Sequence, residues 1–173
     1  MKVQCFKELK LESSVVAIGA FDGLHKGHQE IIKQTVKQSK RLNVPSVIYT
    51  FDVPPKAYFK GHRILSRQQD KLNKLQKLGV DYVIVAKFDS EYLKRSAMSF
   101  VDELYLMNPL NIFVGEDFKF GYKQSGNINL LKKYYHVDTV TPVLCSEGKT
   151  ISSTRIRQLL SEGKCDQINS FFS

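Results

Sequence analysis

The chain has 173 residues, with 26 lysines and arginines against 17 aspartates and glutamates and a formal charge of +9, a balance that directs attention to anionic partners. That length suits one domain able to bury a core without staples, while Cys5, Cys145 and Cys165, odd in number and without a Cys-x-x-Cys pair, argue against a disulfide framework or a zinc site. No stretch approaches the ~20 apolar residues of a membrane span, and the start, Met1 to Glu8, lacks a signal-peptide core, so the expectation is a reducing cytoplasm and no membrane partner.

From residue 14 short apolar runs alternate with helix-period stretches about five times, the pattern of a βαβ series. The runs Val15 to Ala20, Ser46 to Phe51, Tyr82 to Ala86, Asn111 to Gly115 and Thr139 to Leu144 are rich in β-branched residues and nearly continuous, as parallel strands buried on both faces should be. The fold class expected is α/β, a Rossmann-like open parallel sheet of about five strands with helices on both faces, in one domain over residues 1–173. Helices are predicted over residues 25–42, 67–78, 97–107 and 128–135, with Ser66 and Gln69 as a capping box and Leu72, Leu75 and Leu78 as the buried stripe of the second. Lys33, Lys37, Lys40, Lys71, Lys74, Lys77, Lys132 and Lys133 read as solvated helix faces, so the positive charge by itself names no partner. Residues 52–65 and 116–127 break the alternation and leave the C-terminal ends of predicted strands, the edge at which open parallel sheets bind ligands.

Two segments carry chemistry. Gly19-Ala20-Phe21-Asp22-Gly23-Leu24-His25-Lys26-Gly27-His28 bridges the first buried strand and a helix start, where unpaired N–H groups and a partial positive charge favour an anion. His25 and His28 would aim two imidazoles at that anion, and Gly23 and Gly27 leave room for it. A zinc reading fails for want of third and fourth ligands, Asp22 being the one close carboxylate. The second segment, Ile151-Ser152-Ser153-Thr154-Arg155-Ile156-Arg157, opens the last helix with three hydroxyls and two guanidinium groups, more than N-capping requires and enough for a polyphosphate site. A Walker P-loop and a Gly-x-Gly-x-x-Gly fingerprint are both absent from the sequence.

His25-Lys26-Gly27-His28 followed by Ile151 to Arg157 makes the chain resemble the HxGH nucleotidyltransferase superfamily. Gly19 to Gln29, then Thr50-Phe51-Asp52 with Pro55 and Phe59, then Val114 to Gly121, then Ile151 to Arg157 narrow the resemblance to the adenylyltransferase domain of bacterial FAD synthetases. It departs from that pattern at Val53-Pro54-Pro55, where the family reads Pro-His-Pro, and at Ser173, where the family usually continues into a riboflavin kinase barrel. Riboflavin phosphorylation is therefore not expected.

The resemblance implies AMP transfer from ATP to FMN, giving FAD and pyrophosphate. It implies His25, His28 and Arg157 as catalytic residues, the imidazoles as positive stabilisers of the transition state. Gly19, Ala20, Phe21, Asp22, Gly23, Ser152, Ser153, Thr154 and Arg157 would bind ATP, with Arg155 a further candidate. Phe51, Pro55, Phe59, Asp117, Phe118 and Phe120 would bind FMN. Mg²⁺ would be held mainly by substrate phosphates, with no protein metal site. The alternatives are another HxGH nucleotidyltransferase, cytidylyl- or phosphopantetheine adenylyltransferase-like, and a basic nucleic-acid-binding protein. Against the last, the aromatics fall in apolar runs rather than among exposed basic residues.

Overall fold

The computed structural model describes residues 1–5, 8–61 and 63–172; Phe6, Lys7 and the Cys5 thiol, on which the expectations for the chain start and the cysteines partly rest, lie outside that description. In chain order the elements are strands and helices β1 (Lys2–Cys5), β2 (Ser14–Ile18), α1 (Lys26–Leu42), β3 (Ser46–Phe51), α2 (Pro55–Lys60), α3 (Gln68–Lys77), β4 (Tyr82–Ala86), α4 (Ser90–Leu93), α5 (Ala97–Leu104), β5 (Pro109–Gly115), β6 (Lys119–Phe120), β7 (Gly126–Asn127), α6 (Ile128–Leu131), β8 (Val137–Val140), α7 (Ser153–Ser161) and α8 (Cys165–Asn169). Single 3-10 turns occupy Tyr105–Met107 and Tyr122–Gln124.

Six strands pair in parallel in the order β1-β4-β3-β2-β5-β8, and β6 and β7 form a separate antiparallel hairpin. Every residue of β2 and β3 is buried, as two central strands covered on both sides require. Alternate side chains feed two cores. Val16, Ile18, Val47, Tyr49, Ile84 and Ile112 pack with Phe100, Val101 and Leu104 of α5. Val15, Ala17, Ile48, Val83 and Phe113 pack against Ile31, Ile32 and Val36 of α1 and Leu75 of α3. From β2 the sheet grows through β3 on one side and through β5 on the other, so the strand order reverses between β2 and β5 and a crevice opens at their C-terminal ends.

The alternation does not predict β1, whose Lys-Val-Gln-Cys sequence sits at the sheet edge beside β4 with Val3 exposed, so burial leaves no apolar run to read. The last strand lies at Val137–Val140 rather than 139–144, and the helix expected over 128–135 is one turn, Ile128–Leu131. The capping box also fails. Arg67 occupies the N-cap of α3 without a side-chain bond, and the Ser66 hydroxyl accepts instead from the Gly23 amide at 3.1 Å. Lys71 is a larger departure. It is 3% exposed, because this position of α3 faces the sheet and not solvent.

Residues 116–127, irregular by sequence, fold into the β6–β7 hairpin and its 3-10 turn. The hairpin is seated by Gly121, at φ +74°, where a Cβ would stand 2.7 Å from the Ala97 backbone. Gly121→Ala is expected to cost about 1–3 kcal/mol, from the positive φ and the clash together, read as a lowered denaturant midpoint at unchanged slope.

Candidate active site

The first motif leaves β2 and turns sharply before α1. Phe21 and Leu24 adopt left-handed backbone at φ 49° and 47°, conformations that cost non-glycine residues energy and cluster at functional turns. Both side chains are buried, which holds them there. The Phe21 ring lies edge-on to His28, with centroids 5.4 Å apart, so Phe21 supports the turn from beneath. Gln29 donates to the carbonyls of Leu24 and Phe172, and the Lys26 amide to the carbonyl of Phe171, tying the helix start to the C-terminal segment.

His25 is the N-cap of α1, its Nδ1 accepting from the His28 amide at 3.4 Å, so in the neutral ring the proton sits on Nε2. The two imidazoles stack with centroids 3.7 Å apart and 23° between planes. His25 Nε2 and His28 Nδ1 are buried without a hydrogen-bond partner among the described residues. Burial lowers His25 from 6.5 to about 4. It holds His28 well below its ordinary value too, with His25 and the Lys71 ammonium adding to the effect. With both pKa values pushed down by burial, the two rings are neutral N–H donors in the free protein at neutral pH, so any stabilisation they give a phosphate comes from hydrogen bonding rather than from a resting positive charge.

The second motif faces the first. Ser152 caps α7 by accepting from the Arg155 amide at 3.2 Å, the Ser153 hydroxyl donates to the Asp22 carbonyl at 3.0 Å, and Thr154 accepts from Lys56 at 3.1 Å. Neither α1 nor α7 has an acidic residue in its first turn, so both N-termini present their positive ends unneutralised. Gly27 lets the motifs meet: a Cβ there would stand 3.3 Å from the Ile151 carbonyl. The Arg157 guanidinium pairs with Asp22 Oδ2 and donates through Nε to the Arg63 carbonyl. Arg155 points away from the cleft, bonded to Cys145 and Glu147 and lying over Phe171, so it leaves the candidate set. Cys145 and Cys165 are free thiols.

Gly19, Ala20, Phe21, Asp22, His25, His28, Ser152, Ser153, Thr154 and Arg157 line one cleft of about 530 Å³, which Asp117 lines as well. Gly23 stands outside it, on a neighbouring surface groove. A second, aromatic cavity of about 290 Å³ adjoins it and shares Phe51, Pro55, Phe118 and Lys119. Phe59, 63% exposed, and Phe120, buried, complete the predicted flavin set in that slot, whereas Asp117 is on the cleft side. Sequence reasoning missed Phe88, Tyr92 and Arg95, which also line the slot. It missed Lys56 as well, which reaches Thr154 across 98 positions of sequence. Only a fold could show these, since Phe88, Tyr92 and Arg95 lie in no motif and Lys56 falls on a variable position between Pro55 and Phe59. Among the described residues no group of three or more His, Cys, Asp or Glu could hold a metal ion, and no helix is long and apolar enough to cross a membrane.

Comparison with known proteins adds to this geometry. The profile of a family described as FAD synthetase matches residues 7–155. A Geobacillus thermodenitrificans relative carrying a bifunctional riboflavin kinase/FMN adenylyltransferase name is 45% identical over 159 residues, 92% of this chain and 89% of its own. Bifunctional riboflavin kinase/FMN adenylyltransferases of Haemophilus influenzae and Escherichia coli K12 are 35% and 34% identical over 87% of this chain, which spans about half of their length. A solved structure described as a macrolide-efflux protein from Streptococcus pneumoniae superposes with a TM-score of 0.80 at 30% identity, over 92% of this chain and 57% of that one.

Unfolding returns His25 to about 6.5, so as pH falls the unfolded chain takes up the proton first and native stability declines between about pH 6.5 and 4, by about 3 kcal/mol at most. His25→Asn should show a smaller decline when urea midpoints at neutral and acidic pH are compared. An unchanged decline would mean that His25 keeps an ordinary pKa.

Proposed function

Because the chain belongs to the FAD synthetase family, we propose that it is an FMN adenylyltransferase, moving AMP from ATP to FMN with release of FAD and pyrophosphate. One observation carries the reading: two helix N-termini bearing His25, His28, Ser152, Ser153 and Thr154 converge on a cleft that opens, through Phe51, Pro55, Phe118 and Lys119, into an aromatic slot. A triphosphate suits the cleft, and a planar fused ring suits a narrow cavity walled by Phe51, Phe59, Phe118 and Phe120. ATP and FMN are the small-molecule substrates, and no nucleic-acid partner is part of this reading.

In the transfer, a phosphate oxygen of FMN attacks the α-phosphorus of ATP and the bond to the bridging oxygen of pyrophosphate breaks in line. The nucleophile needs no base, since a phosphate monoester with a second pKa of about 6 is already mostly dianionic at neutral pH. What the chain supplies is placement and donors. The turn 19–23 borders the adenosine. His25 Nε2–H and His28 donate to the α-phosphate and the bridging oxygen as neutral groups, whose exposed partners are the substrate's oxygens. Ser152, Ser153, Thr154 and the N-terminus of α7 hold the β- and γ-phosphates. Arg157 turns from Asp22 towards the arriving anion, and Lys56, on the cleft beside Thr154, adds a cationic donor. Donors of this kind, hydroxyls and amides rather than a carboxylate cage, fit a Mg²⁺ ion carried by the nucleotide, which would neutralise phosphate charge. Asp117, on the cleft side next to the shared Phe118, would accept from the flavin's ribityl or ring donors.

Incubation with ATP, Mg²⁺ and FMN, followed by chromatographic separation of flavins, should yield FAD; none formed would overturn the reading. His28→Ala should lower kcat roughly 100-fold or more while FMN affinity changes by less than about threefold, the pattern of a group that acts in the transition state. Equal losses in both would make His28 a structural residue.

A further inference from the structure

Lys71 belongs to neither motif, yet it places a buried ammonium directly beneath the site. Its Nζ donates to the Phe51 carbonyl at 2.8 Å, to Thr50 Oγ1 at 3.2 Å and to the Ala20 carbonyl at 3.4 Å. Thr50 Oγ1 in turn donates to the same Ala20 carbonyl at 3.0 Å. Three donors thus meet three acceptors, the condition under which an ammonium is tolerated in an interior. The acceptors are not scattered. Ala20 follows the end of β2, and Thr50 and Phe51 close β3, so the ammonium ties two neighbouring strands where one releases the nucleotide turn and the other the loop to Pro55.

The other ionisable groups acting on this ammonium are Asp22 from the β2–α1 turn, Asp52 after β3 and His28 from α1. Asp52 is itself fixed, its Oδ1 accepting from the Val53 and Phe88 amides at 2.6 and 2.8 Å. A core position needed only for packing is usually served as well or better by an apolar side chain of the same volume. Here the charge has targets that packing does not explain: two main-chain carbonyls at the ends of the strands that carry the two substrates.

We propose that Lys71 is a positioning residue for adenylyl transfer, its ammonium locking the ends of β2 and β3 at one spacing so that the nucleotide on the first and the flavin on the second meet in line. The proposal rests on the adenylyltransferase reading above. Burial lowers the ammonium to about 8, against the opposing pull of Asp22 and Asp52. The lock is therefore charged at neutral pH and released within the range in which an enzyme can be assayed, while His28, held low, does not titrate there.

The test compares wild type, Lys71→Met and Lys71→Arg by FAD formation and by calorimetric binding of the non-transferring analogue α,β-methylene-ATP. Lys71→Met is expected to lose roughly 100-fold in kcat and about tenfold in analogue affinity, with Lys71→Arg recovering part of both. Values for Lys71→Met within about twofold of wild type would overturn the proposal. Where Lys71→Met does not fold, wild type decides alone: kcat and analogue affinity should both fall with a midpoint near pH 8, and flat profiles between about pH 7 and 9.5 would overturn the proposal. A wild type that binds the analogue but forms no FAD would instead remove the adenylyltransferase reading, leaving the binding profile to judge Lys71.

Discussion

The carboxylate of Asp22 gathers three separate segments around one buried charge. Its Oδ1 accepts from the Leu65 and Ser66 amides, its Oδ2 from the Arg157 guanidinium, and its main-chain carbonyl from the Ser153 hydroxyl. A carboxylate almost without solvent must be answered by donors, or the fold carries a desolvation penalty of several kcal/mol. The answer here brings residue 157 to residue 22 and thereby faces one helix start towards the other. In the free protein Arg157 serves this structural pair. In the proposed reaction an arriving triphosphate would offer the guanidinium several further oxygens, which would couple substrate binding to the integrity of the turn through the same side chain.

Positive charge at the site is distributed differently from what the formal +9 suggests. The two histidines are neutralised by burial, Arg155 is turned outward to Glu147, and Arg157 is paired. What remains at the two helix starts is directional, imidazole N–H, hydroxyl and amide donors, with Lys56 on the cleft beside Thr154 and Lys119 where cleft and slot meet. Neutral donors in a water-poor turn need not shed a hydration shell or a proton when the phosphate charge shifts. Electrostatic stabilisation works best when it is organised before the reaction in this way. Lys71 contributes from below, where its charge opposes protonation of His28.

The aromatic slot shows how packing builds one cavity from segments far apart in sequence. Phe51 from β3 meets Phe88 and Tyr92 edge-on at 5.3 and 5.4 Å, Phe100 of α5 lies 5.0 Å from Phe120 of the hairpin, and Phe118 stacks on Phe120 at 5.5 Å. Such offset and edge-on geometries are the ones aromatic pairs favour, and these rings wall the cavity. Gly121 and Gly126 complete it by admitting the Ala97 backbone and the Phe120 ring into contacts no side chain would allow.

Much of this was legible in the chain itself. The continuous apolar runs at Ser46–Phe51 and Tyr82–Ala86 coincide with β3 and β4 because both strands lie inside the sheet, where burial imposes a pattern on the residues. Both motifs were legible because capping and phosphate chemistry demand particular residue types at fixed local spacing. Edge strand β1 and the hairpin were not, since little burial or length marks them, and α6 was legible as a helix but not in its single-turn length. The amino-acid sequence thus determined the α/β alternation, the two helix starts and the family. Only the tertiary structure decided that the imidazoles are neutral, that Arg155 leaves the site while Lys56 enters it, and that Lys71 is a buried brace instead of a solvated lysine. The reason is that protonation and accessibility depend on what packs against a residue from distant segments, and no local spacing encodes that.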